Sequence, residues 1–321
     1  MNLIRTILIF FFSVPVFGSK FFIPILLIIF SISNIKYLNR KFYIYSIFLF
    51  SIILFSQLFL STRFDPNMFY ILIAIILSVN SVSIESKNLK IILFIMLFFH
   101  LFSMFTLFQF EIDFFPNLLY GESRHLVQSN TFVNFRPSGV FQEPSTFAVY
   151  YLVIAILLSK ISKEKNRKYI IFSIVLSLLT FSVISLLFPI VLIPFFKRIR
   201  YIFLLFIPII FFIYEFINQF AFNKINAYFD MGIENYARFE LLFEYLNDFN
   251  YYGFQNDLSD YVAYDLGPIV YLFIFAGIFS FPLIIFLLFK AFKNLNLFVL
   301  LLTKISISNP LFWIAMNNRQ K

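Results

Sequence analysis

The chain has 321 residues, of which 61% are hydrophobic and 13% are charged, and its mean hydropathy is +0.90. Soluble domains have about 45–50% apolar and about 25% charged residues, so this composition excludes an ordinary water-soluble protein and predicts residence in a lipid bilayer. The net charge is +9, but no basic stretch is interleaved with aromatic residues, which argues against nucleic-acid binding. With no cysteine and two histidines, thiol chemistry is excluded and a histidine-based metal site lacks ligands, so we expect neither a metal nor a cofactor.

Several stretches have the length and apolarity of membrane helices, which need about 20 mainly apolar residues. In chain order they are Phe42–Leu60, the shorter Phe69–Val82, Ile91–Phe108, Phe141–Leu158, Tyr201–Ile217, Gly267–Phe289 and Leu297–Met316. Two longer apolar runs, Leu3–Ile32 and Tyr169–Phe196, are interrupted by proline or glycine, so each has the length for one long span or two short ones. Residues 1–18 also fit a cleaved signal peptide, although the first helix of a multi-spanning protein usually serves instead.

The lysines and arginines assign loops to the two sides of the membrane, because cytoplasmic loops carry an excess of them. The inside groups are Lys36, Arg40 and Lys41; Lys87 and Lys90; Lys160, Lys163, Lys165, Arg167 and Lys168; Lys197, Arg198 and Arg200; and Lys290 and Lys293. Both ends of Tyr169–Phe196 are then inside, which requires two short helices or a re-entrant hairpin. Leu3–Ile32 splits in the same way if Arg5 is inside.

The predicted fold is therefore an all-α integral membrane protein, a single polytopic domain over residues 1–321 with about 11 transmembrane helices and the N-terminus inside. Two large outer-face loops cover about 109–140 and 218–266. Of the 16 acidic residues only Glu85 and Glu164 fall inside, and the others lie in outer segments or at their edges. The mid-membrane segments are nearly free of charge, with Lys304 as the main exception. This topology leaves Arg319 and Lys321 outside, against the charge rule.

The first outer loop ends in the segment Arg136–Tyr150, which reads RPSGVFQEPSTFAVY. Pro144 suits the first turn of a helix, so we expect a helix that begins near Pro144 with its N-terminus facing outward. The free N–H groups at that end, including that of Ser145, and the forked guanidinium of Arg136 suit an anion such as a phosphate. Glu143 has two interpretations: a counter-charge for the helix start or for Arg136, and an acceptor for the proton of a sugar hydroxyl.

Three further groups precede this segment. His125 can act as a base near neutral pH, although a lone loop histidine is more often simply solvated. His100 sits in an apolar run, which predicts a buried hydrogen-bonding residue. Glu111 and Asp113 form an E-x-D pair of the kind that binds metals in another class of membrane glycosyltransferases, but two acids alone favour a solvated loop.

The second outer loop carries a helix-like stretch beginning at Arg238, with Glu240 and Glu244 four residues apart on one face. This pattern fits a helix lying at the membrane interface, either as an anchor or as the carrier of a second phosphate ligand, Arg238. A polar patch, Gln255–Asp260, follows and contains Asp257. The tyrosines of this loop suit stacking on sugar faces or the aromatic belt of a membrane interface.

The string R-x-S-G-x-F-x-E-P-S-x-x-A, which begins at Arg136, resembles a segment of the O-antigen and capsule polymerase/ligase superfamily, which includes Wzy-type polymerases. There it opens a mid-protein membrane helix. In the second loop, Arg238, Gly253 and Gln255–Asp260 also occupy places that resemble the superfamily. The later patch has no histidine, a departure that argues against the O-antigen ligase branch.

The resemblance implies a membrane glycosyltransferase that makes O-antigen, capsule or another exopolysaccharide. A growing glycan would pass from undecaprenyl diphosphate to a lipid-linked repeat unit, on the outer face of the bacterial cytoplasmic membrane. Arg136, Arg238 and Ser145 would bind the diphosphate, and Glu143, Asp257 and His125 compete as the base. Expected partners are the lipid-linked oligosaccharide, a chain-length regulator and a flippase. The alternatives are a lipid-linked oligosaccharide flippase or other transporter, an O-antigen ligase, and a non-catalytic membrane scaffold.

Overall fold

The structure is a computed structural model that describes residues 2–15, 23–27, 40–59, 67–79, 84–121, 136–180, 182–195 and 267–317. Over these residues the chain is helical and contains no strand. The helices are α1 Asn2–Phe10, α2 Arg40–Phe59, α3 Asn67–Val79, α4 Ser86–Phe110, α5 Phe114–Tyr120, α6 Pro144–Ser162, α7 Arg167–Leu178, α8 Pro268–Ala276, α9 Phe281–Phe292, α10 Leu295–Leu301 and α11 Pro310–Met316. Two 3₁₀ segments, Val183–Phe195 and Gly277–Ser280, and a short helical stretch at residues 23–27 complete the set.

Among the described residues, 4 helical stretches are long and apolar enough to cross a membrane: Lys41–Phe59, Ser86–Phe110, Pro144–Ser162 and Pro268–Phe292. A shorter apolar helix covers Phe69–Ser78. These helices agree with the predicted class, a helical membrane protein. The predicted span Tyr201–Ile217 and the second outer loop lie outside the described residues, so the count of about 11 spans stays a prediction.

Helix α6 lies at the centre of the described bundle. Every residue from Phe147 to Leu158 is buried, and the helix contacts α4, α7, α10, α11 and the 3₁₀ segment Val183–Phe195. A helix that is apolar on all sides is stable in a protein core or in lipid, and this one is enclosed by other elements of the bundle. Near its first third, the hydroxyl of Tyr150 bonds with Ser13 at 3.0 Å and accepts a hydrogen bond from Asn309 at 2.6 Å.

Helix α7 and the 3₁₀ segment Val183–Phe195 form two short elements beside α6, as predicted for Tyr169–Phe196. The hydroxyl of Ser173 donates to the carbonyl of Tyr151 at 2.7 Å and ties α7 to α6. Around the connection, the hydroxyls of Ser177, Thr180 and Ser185 each donate to a backbone carbonyl three residues earlier. Such local bonds satisfy backbone groups that a helix end leaves without partners, as an apolar environment requires.

The predicted span Leu297–Met316 is wrong as a single helix. The chain forms two seven-residue helices, α10 and α11, separated by 302–309. The intervening sequence, LTKISISN, is rich in hydroxyl and β-branched side chains, which compete with a helical backbone. Asn309 then caps α11 by accepting from the N–H of Leu311 at 2.9 Å, and Pro310 occupies the first turn. An average over a long apolar window hides this short polar interruption.

The α10–α11 pair runs along α6 and back. Its connection reaches the N-terminal end of α6 through Lys304, and the end of α11 reaches the C-terminal end of α6 through Lys160. Asn317 also donates to the hydroxyl of Tyr43, near the start of α2, at 3.2 Å. The residues after α11 were predicted outside because Leu297–Met316 was counted as a crossing. Asn317 instead lies at the Lys160 end of α6, the end that the charge rule assigns to the cytoplasm.

Candidate functional site

A tight turn opens the Arg136–Tyr150 segment. The N–H of Phe141 donates to the carbonyl of Ser138 at 3.0 Å, and Gly139 between them has a φ of 60°. A Cβ at Gly139 would lie 2.7 Å from Cζ of Phe147, on the first turn of α6. Positive φ and this close approach both favour glycine. The turn therefore packs directly onto the helix that it precedes.

Helix α6 begins at Pro144, which confirms the start predicted from the sequence. Glu143 precedes it with extended backbone, and its side chain does not cap the helix N–H groups. Instead, Oε2 of Glu143 accepts a hydrogen bond from the hydroxyl of Ser145 at 2.9 Å. The carboxylate is therefore held beside the helix start, where the positive end of the helix dipole stabilises negative charge.

Lys304 comes to this carboxylate from the connection between α10 and α11. Its Nζ lies 3.2 Å from Oε2 of Glu143, and the two side chains are 10% and 19% exposed. Such an ion pair, mostly withdrawn from water, is sensitive to the loss of either partner, because the remaining charge would be left without compensation. In the sequence, Lys304 stands out as a mid-membrane charge, but no sequence feature assigns it to the site.

Arg136 adds a second positive charge to the same end of α6. Burial lowers the pKa of its guanidinium, and the negative charge of Glu143 acts in the opposite direction. An arginine has an ordinary pKa far above neutral, so the side chain stays protonated. The described part of the site thus brings together Arg136, Glu143 and Ser145, all singled out in the sequence, with Lys304, which the sequence left unassigned.

Asp113 corrects the prediction of a solvated acid pair. Glu111 is exposed, but Asp113 is only 2% exposed. Its two carboxylate oxygens accept hydrogen bonds from Ser103 on α4 and from Ser138, each at 2.6 Å. Burial raises the pKa of Asp113 to about 6, while the serine hydrogen bonds act to lower it. The carboxyl therefore fastens the Ser138 turn to α4.

Gly267, which directly follows the predicted second outer loop, lies in the same region. It precedes Pro268 at the start of α8 and has a φ of 88°. A Cβ at this position would lie 2.8 Å from the carbonyl oxygen of Thr303, the residue before Lys304. The backbone that carries Lys304 is thus packed against the entry to α8. In the sequence, the Gly-Pro pair marked the start of a span but gave no sign of this contact.

The remaining predicted site residues, His125, Arg238 and Asp257, lie outside the described residues, and the structure gives no position for them. His100 is buried on α4, as predicted, with Nδ1 at 3.4 Å from the hydroxyl of Tyr151. It belongs to the packing around α6 and not to the charged end. Within the described ranges, no three His, Asp or Glu side chains gather as a metal site would require.

The charges at the start of α6 limit the kind of ligand that this site suits. Two cations flank one carboxylate at a helix N-terminus, a combination suited to a ligand that carries both phosphate oxygens and hydroxyl groups. Comparison with known proteins adds no relative: no family model matches this chain, and neither does any curated protein or solved structure.

Proposed function

We propose that this protein is a polysaccharide polymerase of the bacterial cytoplasmic membrane. It transfers a growing glycan from undecaprenyl diphosphate to a lipid-linked repeat unit on the outer face. The observation that carries the proposal is the cluster of Arg136, Glu143 and Lys304 at the N-terminal end of α6. The first two residues belong to the segment that resembles the polymerase/ligase superfamily, and the cluster has the charges that this reaction needs.

The departing diphosphate sets the first chemical requirement. As the acceptor hydroxyl oxygen attacks the anomeric carbon, the bond from that carbon to the diphosphate oxygen breaks, and undecaprenyl diphosphate leaves with the electron pair. Positive groups aimed at this developing charge stabilise the transition state. Arg136 takes this role, together with Arg238 from the second loop and the helix start at Ser145. No step requires a metal.

The acceptor hydroxyl sets the second requirement, because its proton must leave as the new bond forms. Glu143 accepts this proton or a hydrogen bond from the hydroxyl, and the carboxylate already accepts one from Ser145. Asp257 and His125 are the competing bases. A flippase that supplies repeat units and a chain-length regulator are the expected partners.

A transporter of lipid-linked oligosaccharides is the second candidate, and one observation favours it. Transporter sites are commonly built from interrupted helices that meet within the membrane, and α10 and α11 are such an interrupted pair. Lys304, in the connection between α10 and α11, contacts Glu143 just before α6 and not the middle of that helix. This position fits a site at the membrane boundary better than a transport path.

Deletion of the gene separates these functions through the surface glycan seen on a gel. Loss of a polymerase leaves single repeat units, loss of a flippase leaves none outside, and loss of a ligase leaves unattached polymer. Within the protein, Arg136→Ala is expected to lower polymer synthesis about 100-fold or more, the cost of losing one group that stabilises a transition-state charge.

Arg167→Ala is the matched control, because Arg167 is an exposed arginine at the start of α7, beyond the C-terminal end of α6. It should leave polymer synthesis unchanged. Full synthesis in both Arg136→Ala and Arg238→Ala, at a normal level of membrane protein, would reject the proposed function.

A further inference from the structure

We infer that Lys304 is a ligand of the substrate diphosphate and exchanges Glu143 for phosphate oxygens when the substrate binds. This inference rests on the proposed function and deepens it, because it adds a third cation, from the C-terminal part of the chain, to a site predicted from two loops. In the substrate-free protein, Lys304 neutralises Glu143. In the complex, the Glu143 carboxylate is released to accept a hydrogen bond from the acceptor hydroxyl.

The geometry of the pair supports such an exchange. Nζ of Lys304 lies 3.2 Å from Oε2 of Glu143, and the lysine side chain remains 10% exposed. A lysine ammonium has three donors on a flexible stem of four carbons, so it can reorient without movement of the backbone. A guanidinium fork, by contrast, holds a carboxylate in a fixed bidentate geometry.

The charges at this end of α6 define what a diphosphate would have to displace. Arg136 and Lys304 supply two positive charges, and Glu143 supplies one negative charge beside the helix start. Asp113 supplies a second carboxyl nearby, whose oxygens accept hydrogen bonds from Ser103 and Ser138. A diphosphate that binds Lys304 therefore takes the place of Glu143 as its counter-charge, because a cation in a poorly hydrated place is costly unless it is compensated.

The position of Lys304 places it beside the start of α6 and close to the start of α8. Thr303 precedes it and is packed against Gly267, where the second predicted outer loop ends. The hydroxyl of Thr303 donates to the carbonyl of Leu300 at 2.7 Å, which anchors the same segment to the end of α10. The backbone is therefore fixed, while the ammonium group of Lys304 lies at the Glu143 carboxylate.

The competing explanation is that Lys304 only holds the helices together. Three variants separate the two roles: Lys304→Gln, Lys304→Arg and the charge exchange Glu143→Lys with Lys304→Glu. A structural ion pair works in either direction, so the exchange variant would recover both stability and diphosphate binding. A residue that binds phosphate from position 304 has to carry a positive charge, so the exchange variant would recover stability alone.

The experiment measures the binding of undecaprenyl diphosphate to purified full-length protein in detergent, together with the thermal unfolding midpoint of each variant. Lys304→Gln should weaken binding at least tenfold, and Lys304→Arg should retain a larger part of it. The exchange variant should unfold near the wild-type temperature and still bind at least tenfold more weakly. Lys165→Gln, a change of an exposed lysine beyond the other end of α6, should bind as the wild type does.

The outcomes distinguish this inference from the proposed function. Wild-type protein that binds no undecaprenyl diphosphate would overturn both. Wild-type binding with equal binding by Lys304→Gln would overturn the role of Lys304 alone. Recovery of both binding and stability in the exchange variant would assign Lys304 a purely structural role. In a polymerisation assay, the expected signature of Lys304→Arg is a raised KM for the lipid-linked donor.

Discussion

A lysine contact is found at each end of α6, but the two contacts differ in kind. At the C-terminal end, Lys160 donates to the carbonyl of Ala315 and, at 3.1 Å, to that of Asn317, so it caps the end of α11. At the N-terminal end, Lys304 meets the carboxylate of Glu143. Backbone carbonyls at a helix end are fixed and always need donors, whereas a carboxylate and an ammonium can each take another charged partner.

This difference distinguishes an end of α6 whose bonds hold the helices together from an end whose charges suit the binding of a ligand. Around Lys160, the neighbouring bonds also serve structure: Asn166 accepts from Ser86 at 2.7 Å and donates to the carbonyl of Leu158 at 3.2 Å. Around Glu143, the neighbouring groups are ionisable. They are Arg136, Lys304 and the carboxyl of Asp113, whose pKa is raised by burial. We therefore expect changes at the Lys160 end to alter mainly stability, and changes at the Glu143 end to alter mainly activity.

The largest stability effect is expected from Lys160→Met. It removes the two hydrogen bonds that the Lys160 side chain donates and leaves two carbonyls at the end of α11 without this donor, at a cost of about 3–4 kcal/mol. Activity per folded molecule should remain that of the wild type. The measurement is denaturant or thermal unfolding in detergent beside a polymerisation assay. Wild-type stability combined with lost activity would reverse the assignment of the two ends.

The next effect concerns pH and Asp113. Its pKa is raised from 3.8 to about 6 in the folded protein, so folding favours the protonated carboxyl. This contribution is fully present below the unfolded value and is lost as the pH rises through about 6, a change of about 3 kcal/mol. Asp113→Asn should flatten this decline. Unfolding midpoints measured from about pH 4 to about pH 7 test it, and parallel curves for the two proteins would contradict it.

Gly267→Ala should cost about 2 kcal/mol, because alanine is strained at a positive φ and its Cβ would approach the Thr303 carbonyl too closely. The displacement of that segment should also move Lys304, so activity should fall further than stability. Gly121→Ala is a control with a similar φ, at 78°, but with open space around the new Cβ. Equal effects of the two substitutions on activity would show that the close approach at Gly267 is unimportant.

The smallest effect is expected from Tyr150→Phe, which lies between the two ends. It removes the hydroxyl that bonds with Ser13 and Asn309, and hydrogen bonds between membrane helices contribute about 0.6 kcal/mol each on average. The stability loss should be about 1 kcal/mol, with little change in activity. A large loss of activity would extend the proposed site further along α6.

The sequence was sufficient for the helical class, for the start of α6 at Pro144 and for the paired elements after Arg167. Each of these depends on local signals: apolar length, proline in a first turn and groups of basic residues. Arg136, Glu143 and Ser145 were found in the same way, because one short segment contains all three.

The contacts of Lys304 and Asp113 could not be predicted, because they depend on packing between distant parts of the chain. Lys304 lies in an apolar run whose interruption is only a few residues long, so the average hydropathy predicts one helix. Asp113 follows an exposed Glu111 in a loop, and its burial depends on serines from α4 and from the Ser138 turn. The spacing of residues in the sequence does not indicate the contacts of Lys304 or of Asp113.

The contact between Glu143 and Lys304 joins residues separated by 161 positions in the chain. Ribosomes add about 5–20 residues per second, so Glu143 emerges on the order of 10–30 s before its partner. During that interval Arg136 is the one cation of the cluster available to the carboxylate, and α6 cannot be fully enclosed. The charged end of α6 is therefore completed only after the α10–α11 pair has been synthesised.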